Sequence, residues 1–414
     1  MAETGQWLPR RAEELVERAL ADTPVVCLLG PRQSGKSALA RHYDPRRPYL
    51  TFDDAALLDA ARTDPVGFVA SLPHAVTLDE IQRAPALLPA IKMTVDRDRR
   101  AGRCLLTGSA NLLLLPAASE SLAGRMEVVR LHPLTEAEKE RRPGRFLEQL
   151  LAGSFRARPH GGEPDVTELV ARMLEGGFPE ARRRSGARLR QWHRGYVDAL
   201  IQRDARDVAS LRNLDHLRTL LMMLSHQTAQ LLNVQSTAGR IGVRRETVEN
   251  HLAALEHLFL VRRLPAWSPN DARRLVKAPK LHIVDSGLAA SLTELSEDDW
   301  NTSRERFGKL LESFVLQQLV AQAAWTDADL RFWHYRDKDQ VEVDIVITRG
   351  RNVWGVEVKA GATVTAADGH GLRRLADHAG KHFQGGVLLH AARSILPTAH
   401  PRVLAVPLAE LWSR

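Results

Sequence analysis

Aromatic side chains make up only 5% of the 414 residues, and there are only two cysteines. Cys27 and Cys104 lie inside apolar runs without metal-ligand spacing. A disulfide framework and a cysteine zinc site are therefore excluded, and buried thiols in a reducing compartment are expected. No apolar run approaches the roughly 18 residues that span a bilayer, and MAETGQWLPRRAEE at the start carries no apolar core of signal-peptide type. A cytoplasmic protein with no membrane partner is expected. Heptads, internal repeats, low-complexity tails and histidine–cysteine clusters are also missing, which excludes a filament, a scaffold or a zinc protein. Lysine is scarce too, because arginine supplies most of the 58 basic residues. The positions of the few lysines therefore carry information.

The composition that remains, 44% hydrophobic and 26% charged, is that of a globular chain. Its length predicts two or three domains, each with its own core. A net charge of +8 suits a polyanionic partner such as nucleic acid.

Residues 25–39 read VVCLLGPRQSGKSAL. The apolar run predicts a buried strand, SALARHY predicts a helix, and the segment between fits G-x-x-x-x-G-K-[ST]. This is the order a phosphate cradle requires. Gly30, Gln33, Ser34 and Gly35 supply backbone around the phosphates, Lys36 reaches the β and γ oxygens, and Ser37 ligates Mg²⁺ at a positive helix end. A second predicted strand over residues 76–78 runs into Asp79 and Glu80. Asp79 is the expected metal-side carboxylate, and Glu80 the base that activates water. The strand in RCLLTGSAN ends in small polar residues, of which Ser109 is the expected γ-phosphate sensor, with Thr107 and Asn111 as alternates. In ESLAGRMEVVRL, Arg125 follows a glycine at a strand edge, where it can reach a neighbouring subunit's nucleotide as an arginine finger.

The middle of the chain reads as helical. QTAQLLNVQSTAGRIGVRRETVENHLAALEHLFLVRRL has the grammar of a helix-turn-helix: Asn233 as a cap, a turn at Ile241-Gly-Val, and Val248, Leu252 and Leu255 facing inward. Arg244, Arg245, Thr247 and Asn250, with His251 on the same outer side, are the expected DNA contacts of the second helix, and Arg262 and Arg263 those of the following strand-like segment. Farther on, Asp344 lies in one predicted strand, and Glu357-Val-Lys359 lies thirteen residues later in a second. That is the PD-(D/E)xK arrangement, in which two carboxylates hold Mg²⁺ against a scissile phosphate and the lysine positions water. Glu312 in GKLLESFVLQQL is a helical acid suited to be a further ligand.

GPRQSGKS, LDEIQRAPALLPAIKMTVD, LLTGSANLLLL, ESLAGR and LHPLTEAE, followed by GGFPEA, KAPKLHIVDSGLAASL and EVDIVI…GVEVKA, together resemble a family of prokaryotic AAA-type P-loop ATPases. The C-terminal half of that family is catalogued as a domain of unknown function. The resemblance covers nearly the whole chain and implies an α/β fold in four parts. These are an AAA-type ATPase domain over residues 1–140, a helical linker or lid over 141–215, a winged helix-turn-helix over 216–275, and a restriction-endonuclease-like α/β domain over 276–414. It also implies ATP as the nucleotide and a ring, expected to be a hexamer. The expected function is an ATP-hydrolysing motor or remodeller acting on duplex or branched DNA, as in branch migration of a Holliday junction. The alternatives are an ATP-gated, metal-dependent endonuclease and an NTP-dependent signalling or protein-interaction switch without nucleic acid.

Overall fold

A computed structural model describes residues 7–108, 122–160, 166–204, 214–269 and 277–413. The chain forms two compact units, Met1–Leu134 with His257–Phe259, and Thr135–Glu256 with Leu260–Arg414.

The first unit is a parallel sheet covered by helices. In chain order its elements are α1 (Ala12–Asp22), β1 (Val25–Leu29), α2 (Lys36–Tyr43), β2 (Tyr49–Thr51), α3 (Ala55–Thr63), α4 (Pro65–Ser71), β3 (Val76–Asp79), α5 (Leu87–Arg97), β4 (Cys104–Gly108) and β5 (Met126–Arg130). The sheet order is β2-β3-β4-β1-β5, so the strand before the phosphate loop lies between β4 and β5. All five residues of β1 are buried, as a central parallel strand requires. Alternation divides them between two cores. Val25, Cys27 and Leu29 pack with Leu78, Ile91 and Val95, while Val26 and Leu28 pack with Val16, Leu20 and Leu39. Both cysteines are free and buried, and burial pushes the Cys27 thiol up to about 12 and that of Cys104 to about 11.

The second unit begins with α6 (Glu136–Lys139), α7 (Phe146–Ala152), α8 (Val166–Glu175) and α9 (Gly186–Ala199), and continues with α10 (Leu214–His226). The apolar spacing between Trp192 and Leu224 predicts long helices. The structure instead breaks it with a π-helical turn at Leu200–Asp204. Leu200 and Ile201 stay buried through that turn, so the apolar period does not register it. Next come β6 (Gln230–Leu231), α11 (Val234–Ile241), α12 (Arg245–His257), β7 (Val261–Leu264) and β8 (Lys280–Ile283), the strands forming an antiparallel sheet in the order β6-β8-β7.

The remaining elements are α13 (Ser286–Leu292), α14 (Arg304–Thr326), β9 (Arg331–Arg336), β10 (Glu342–Arg349), β11 (Asn352–Val358), α15 (His370–Ala379), β12 (Phe383–His390), β13 (Leu396–Pro397) and β14 (Val403–Pro407). Their six-stranded mixed sheet runs β13-β14-β12-β11-β10-β9. Helix α15 sits close on this sheet because Gly355 has no side chain; a Cβ there would lie 2.5 Å from Leu372.

Helix α14 organises the unit. Residues 310–319 are all buried, polar ones included. Its glutamines satisfy donors that helix ends leave open. Gln318 accepts from the Glu136 N–H (2.8 Å), and Gln322 from the Leu147 N–H (2.9 Å). Gln317 donates to Asp285, a fully buried carboxylate that also accepts from the N–H groups of Gly177 (2.7 Å) and Leu288 (2.9 Å). The GGFPEA and VDSGLA motifs thus meet as a buried cap. Among the described residues, no helix is long and apolar enough to cross a membrane.

Candidate functional sites

The phosphate loop starts at Gly30. A Cβ at that position would stand 2.1 Å from the carbonyl oxygen of Leu131, so the loop can leave the sheet there only on glycine. Gln33 (φ 60°) and Gly35 (φ 98°) adopt left-handed backbone, the conformation that builds anion-binding nests from successive N–H groups. The Ser34 hydroxyl is buried with no hydrogen-bond partner among the described residues. Lys36 opens α2, and its Nζ donates to the carbonyls of Gly30 (3.0 Å) and Pro31 (2.8 Å). From the opposite side, the buried Arg10 donates to Ser34 O and His132 O, both at 2.7 Å, and fixes the loop to the end of the sheet. A glycine cradle, an orphaned hydroxyl and a poised ammonium fit a bound nucleotide phosphate.

Asp79 ends β3 and receives hydroxyls from both sides. Ser37 Oγ donates to Oδ1 (2.9 Å), as does Thr107 Oγ1, while Tyr49 OH (2.5 Å) and Thr51 Oγ1 (3.4 Å) reach Oδ2. The pairing of Thr51 with Asp79 across β2 and β3 brings Tyr49 into this set. The Arg41 guanidinium lies 4.3 Å over the Tyr49 ring. Burial, reinforced by the bond to Asp79, raises the Tyr49 phenol well above its usual range and keeps it a donor. Ser37 and Asp79 are thus adjacent, as a shared Mg²⁺ would require. Glu80 follows in a left-handed conformation (φ 57°), which costs a non-glycine residue about 1–3 kcal/mol. Its N–H donates to Thr107 Oγ1 (3.3 Å), and its carboxylate accepts from the Gln82 amide.

Thr107, an alternate for the sensor, therefore touches both acidic residues; Ser109 and Asn111 lie outside the described residues. Arg125 grips Asp96 of α5 with two nitrogens, Nε to Oδ1 at 2.5 Å and Nη2 to Oδ2 at 3.1 Å. That hydrogen bond holds the Asp96 carboxyl below its ordinary range. Reaching a neighbour's nucleotide would require Arg125 to leave Asp96.

In the second unit, the four residues of the PD-(D/E)xK pattern converge. The Asp344 carboxylate accepts from the Val358 N–H (2.9 Å), and Lys359 Nζ lies 3.2 Å from Glu357. Glu312 comes from α14 and is 2.7 Å from Lys309. Burial, with Asp344 nearby, raises Glu312 to about 7 and Glu357 well above the carboxylate range. Glu357 Oε2 is buried and has no hydrogen-bond partner among the described residues. A fifth member comes from β8: Lys280, buried, with Nζ 3.0 Å from Glu312 and 3.3 Å from Asp344. Burial alone would lower this ammonium, but Glu312, Asp344 and Glu342 outweigh it and raise the value.

Asn233 caps α11 by accepting from the Ser236 N–H (2.9 Å), and Gly242 (φ 75°) turns the chain into α12. Arg244, Arg245 and Asn250 are exposed, while Thr247 is half-buried; His251 is buried, not on the outer side, because its Nδ1 donates back to the Thr247 carbonyl (2.6 Å). Arg262 and Arg263 lie on β7. Arg263 is bound by Glu256 (2.6 Å) and Glu249 (3.3 Å), so it is engaged within the chain.

Residues 22–139 match the family model of the AAA domain, residues 166–299 a domain of unknown function (DUF8612), and residues 307–411 a domain of unknown function (DUF4143). The uncharacterized protein Rv2008c of Mycobacterium tuberculosis is 32% identical over 356 residues, which is 86% of this chain and 74% of that protein. The chain belongs to this family of AAA-domain proteins. The uncharacterized protein MJ1544 of Methanocaldococcus jannaschii is 22% identical over 80% of this chain and 74% of its own. Among solved structures, the Walker-type ATPase PABY2304 of Pyrococcus abyssi aligns with a TM-score of 0.43 at 15% identity, covering 69% of this chain and 96% of that one.

The first unit of this AAA protein is a P-loop ATPase domain, and the enzyme is an ATPase. The sequence singles out the loop and the acidic pair, but not Arg10 and Tyr49 of this unit or Lys280 of the second. Arg10 and Tyr49 belong to no motif. The scarcity of lysine was the one signal for Lys280.

Proposed function

We propose that this ATPase uses ATP hydrolysis to hold and remodel DNA, duplex or branched, as an oligomeric ring of six subunits. Lys36 binds and orients the β and γ phosphates on the Gly30–Gly35 backbone. Ser37 and Asp79 would hold Mg²⁺, which neutralises phosphate charge when bound. Glu80 takes the proton of the attacking water, and its strained backbone fixes where the carboxylate points. Thr107 couples the two acidic residues, Ser109 is the expected further sensor, and Arg125 of a neighbouring subunit completes the site.

On this reading, residues 141–215 form a linker or lid and α10–α12 with the three-stranded sheet form a winged helix. Helix α14 with the six-stranded sheet then forms a restriction-endonuclease-like domain. The observation that carries the DNA assignment is the exposed Arg244–Arg245 pair at the start of α12, the helix that follows the Gly242 turn. A guanidinium pair there suits phosphates flanking a groove.

Fluorescence anisotropy with a labelled duplex and a four-way junction, taken through a salt series, tests this assignment. Replacing both arginines by alanine removes two phosphate contacts and lowers the slope of log K against log salt by about 1.8. Unchanged affinity and slope in the double variant would refute the assignment.

A further inference from the structure

The carboxylate cluster of the second unit already contains a cation. The Lys280 side chain is only 2% exposed, and its Nζ lies 3.0 Å from Glu312, 3.3 Å from Asp344 and 3.5 Å from Glu342. An ammonium has three N–H donors, and three carboxylates face this one. Further cations stand beside these carboxylates. Lys309 of α14 is 2.7 Å from Glu312, Arg336 of β9 is 3.2 Å from Glu342, and Lys359 is 3.2 Å from Glu357. With Asp368, 4.0 Å from Lys359, five carboxylates thus stand among four cations supplied by β8, α14, β9 and the end of β11.

A divalent ion in a nuclease of this plan draws carboxylate oxygens to about 2.0–2.6 Å. Glu312 and Asp344 instead share the Lys280 ammonium. A Mg²⁺ ion arriving there would have to expel a buried side chain, and it would add two positive charges where each carboxylate already has a cation. Consistent with this, no group of three or more His, Cys, Asp or Glu among the described residues is arranged to hold a metal ion. The residue type matters too. The chain has nine lysines and 49 arginines, yet this position carries the compact point charge and not the planar fork.

We propose that Lys280 is the built-in cation of this cluster, so that the nuclease-like site takes no divalent metal ion and the domain holds DNA without cutting it. This rests on the nuclease-like, DNA-binding reading of the second unit given above.

The test is a Mn²⁺ titration followed by electron paramagnetic resonance on full-length, nucleotide-free protein. Every sample carries Asp79→Asn, so that the ATP site contributes no ligand. The parent is expected to bind no Mn²⁺ that a further Asp344→Asn removes. Lys280→Met is expected to gain one Mn²⁺ site per chain that the parent lacks, and a further Asp344→Asn is expected to abolish that site. Mn²⁺ bound by the parent and lost on Asp344→Asn would overturn the proposal, as would a folded Lys280→Met protein that gains no site. If Lys280→Met does not fold, the comparison of the parent with Asp344→Asn decides alone. Junction binding by anisotropy separates the two readings: a parent that binds neither Mn²⁺ nor DNA refutes the DNA assignment and leaves Lys280 as the internal cation.

Discussion

Buried histidines make the second unit sensitive to acid, and His193 is the one whose share can be isolated by substitution. His193 of α9 is fully buried, with Nδ1 2.7 Å from Ser291 Oγ, and burial depresses its value to about 4 from an ordinary 6.5. As pH falls through 6.5, the unfolded chain takes up the proton while the folded one resists it until about 4. The stability that neutral His193 contributes is therefore complete above about pH 6.5 and is lost progressively toward pH 4. Between pH 7.5 and 5 the loss comes to about 2 kcal/mol. Glu312 works in the opposite sense, because burial raises it to about 7 and its folded form gains a proton first. His282 and His334, also depressed by burial, act in the same sense as His193, and Glu357 in the sense of Glu312, so the wild-type profile superimposes them all and the diagnostic quantity is the difference from His193→Gln, which keeps a polar group toward Ser291 but does not titrate. Urea unfolding read by tryptophan fluorescence suits the measurement, since every tryptophan except Trp7 lies beyond residue 135. The stability gap between wild type and variant should shrink by about 2 kcal/mol from pH 7.5 to pH 5. An equal gap at both pH values would refute the reasoning.

Glu80→Gln should lower ATP turnover by about 100-fold or more while leaving nucleotide binding intact, because the amide keeps the size of the side chain and its place beside Thr107 and Gln82 but cannot take a proton from water. Phosphate release and binding of a fluorescent nucleotide would measure the two separately, and equal losses in both would contradict the assignment. Gly30→Ala should destabilise the first unit by about 1–3 kcal/mol and abolish nucleotide binding, since the new Cβ meets the Leu131 carbonyl at 2.1 Å. A melting temperature and nucleotide affinity equal to wild type would show that the loop leaves the sheet differently.

The ATP site was legible because its chemistry needs neighbouring residues. Gly30 to Ser37 follow one strand and open one helix, and Asp79 and Glu80 follow another. Asp344, Glu357 and Lys359 could be found for the same reason, since one hairpin carries all three. Lys280 could not, because it stands 32 residues from Glu312 and 64 from Asp344 and joins them only through packing. Tyr49 depends on the register between β2 and β3, which an apolar pattern does not specify. The glutamines of α14 look like polar interruptions until the helix ends they satisfy are in place. GGFPEA reads as a motif without chemistry, and the structure makes its glycines the backbone against which Asp285 is capped. Arg263 looks in sequence like a partner for DNA, but Glu256 and Glu249, seven and fourteen residues earlier, already hold it.

On the proposed reading, ATP hydrolysis at Lys36 serves DNA. Steady-state ATP turnover, measured without DNA and with single-stranded, duplex and four-way-junction DNA, and with Lys36→Ala as the control, tests it most directly. Turnover is expected that Lys36→Ala abolishes and that duplex or junction DNA stimulates. Lys36-dependent turnover that stays flat across every DNA form would contradict it.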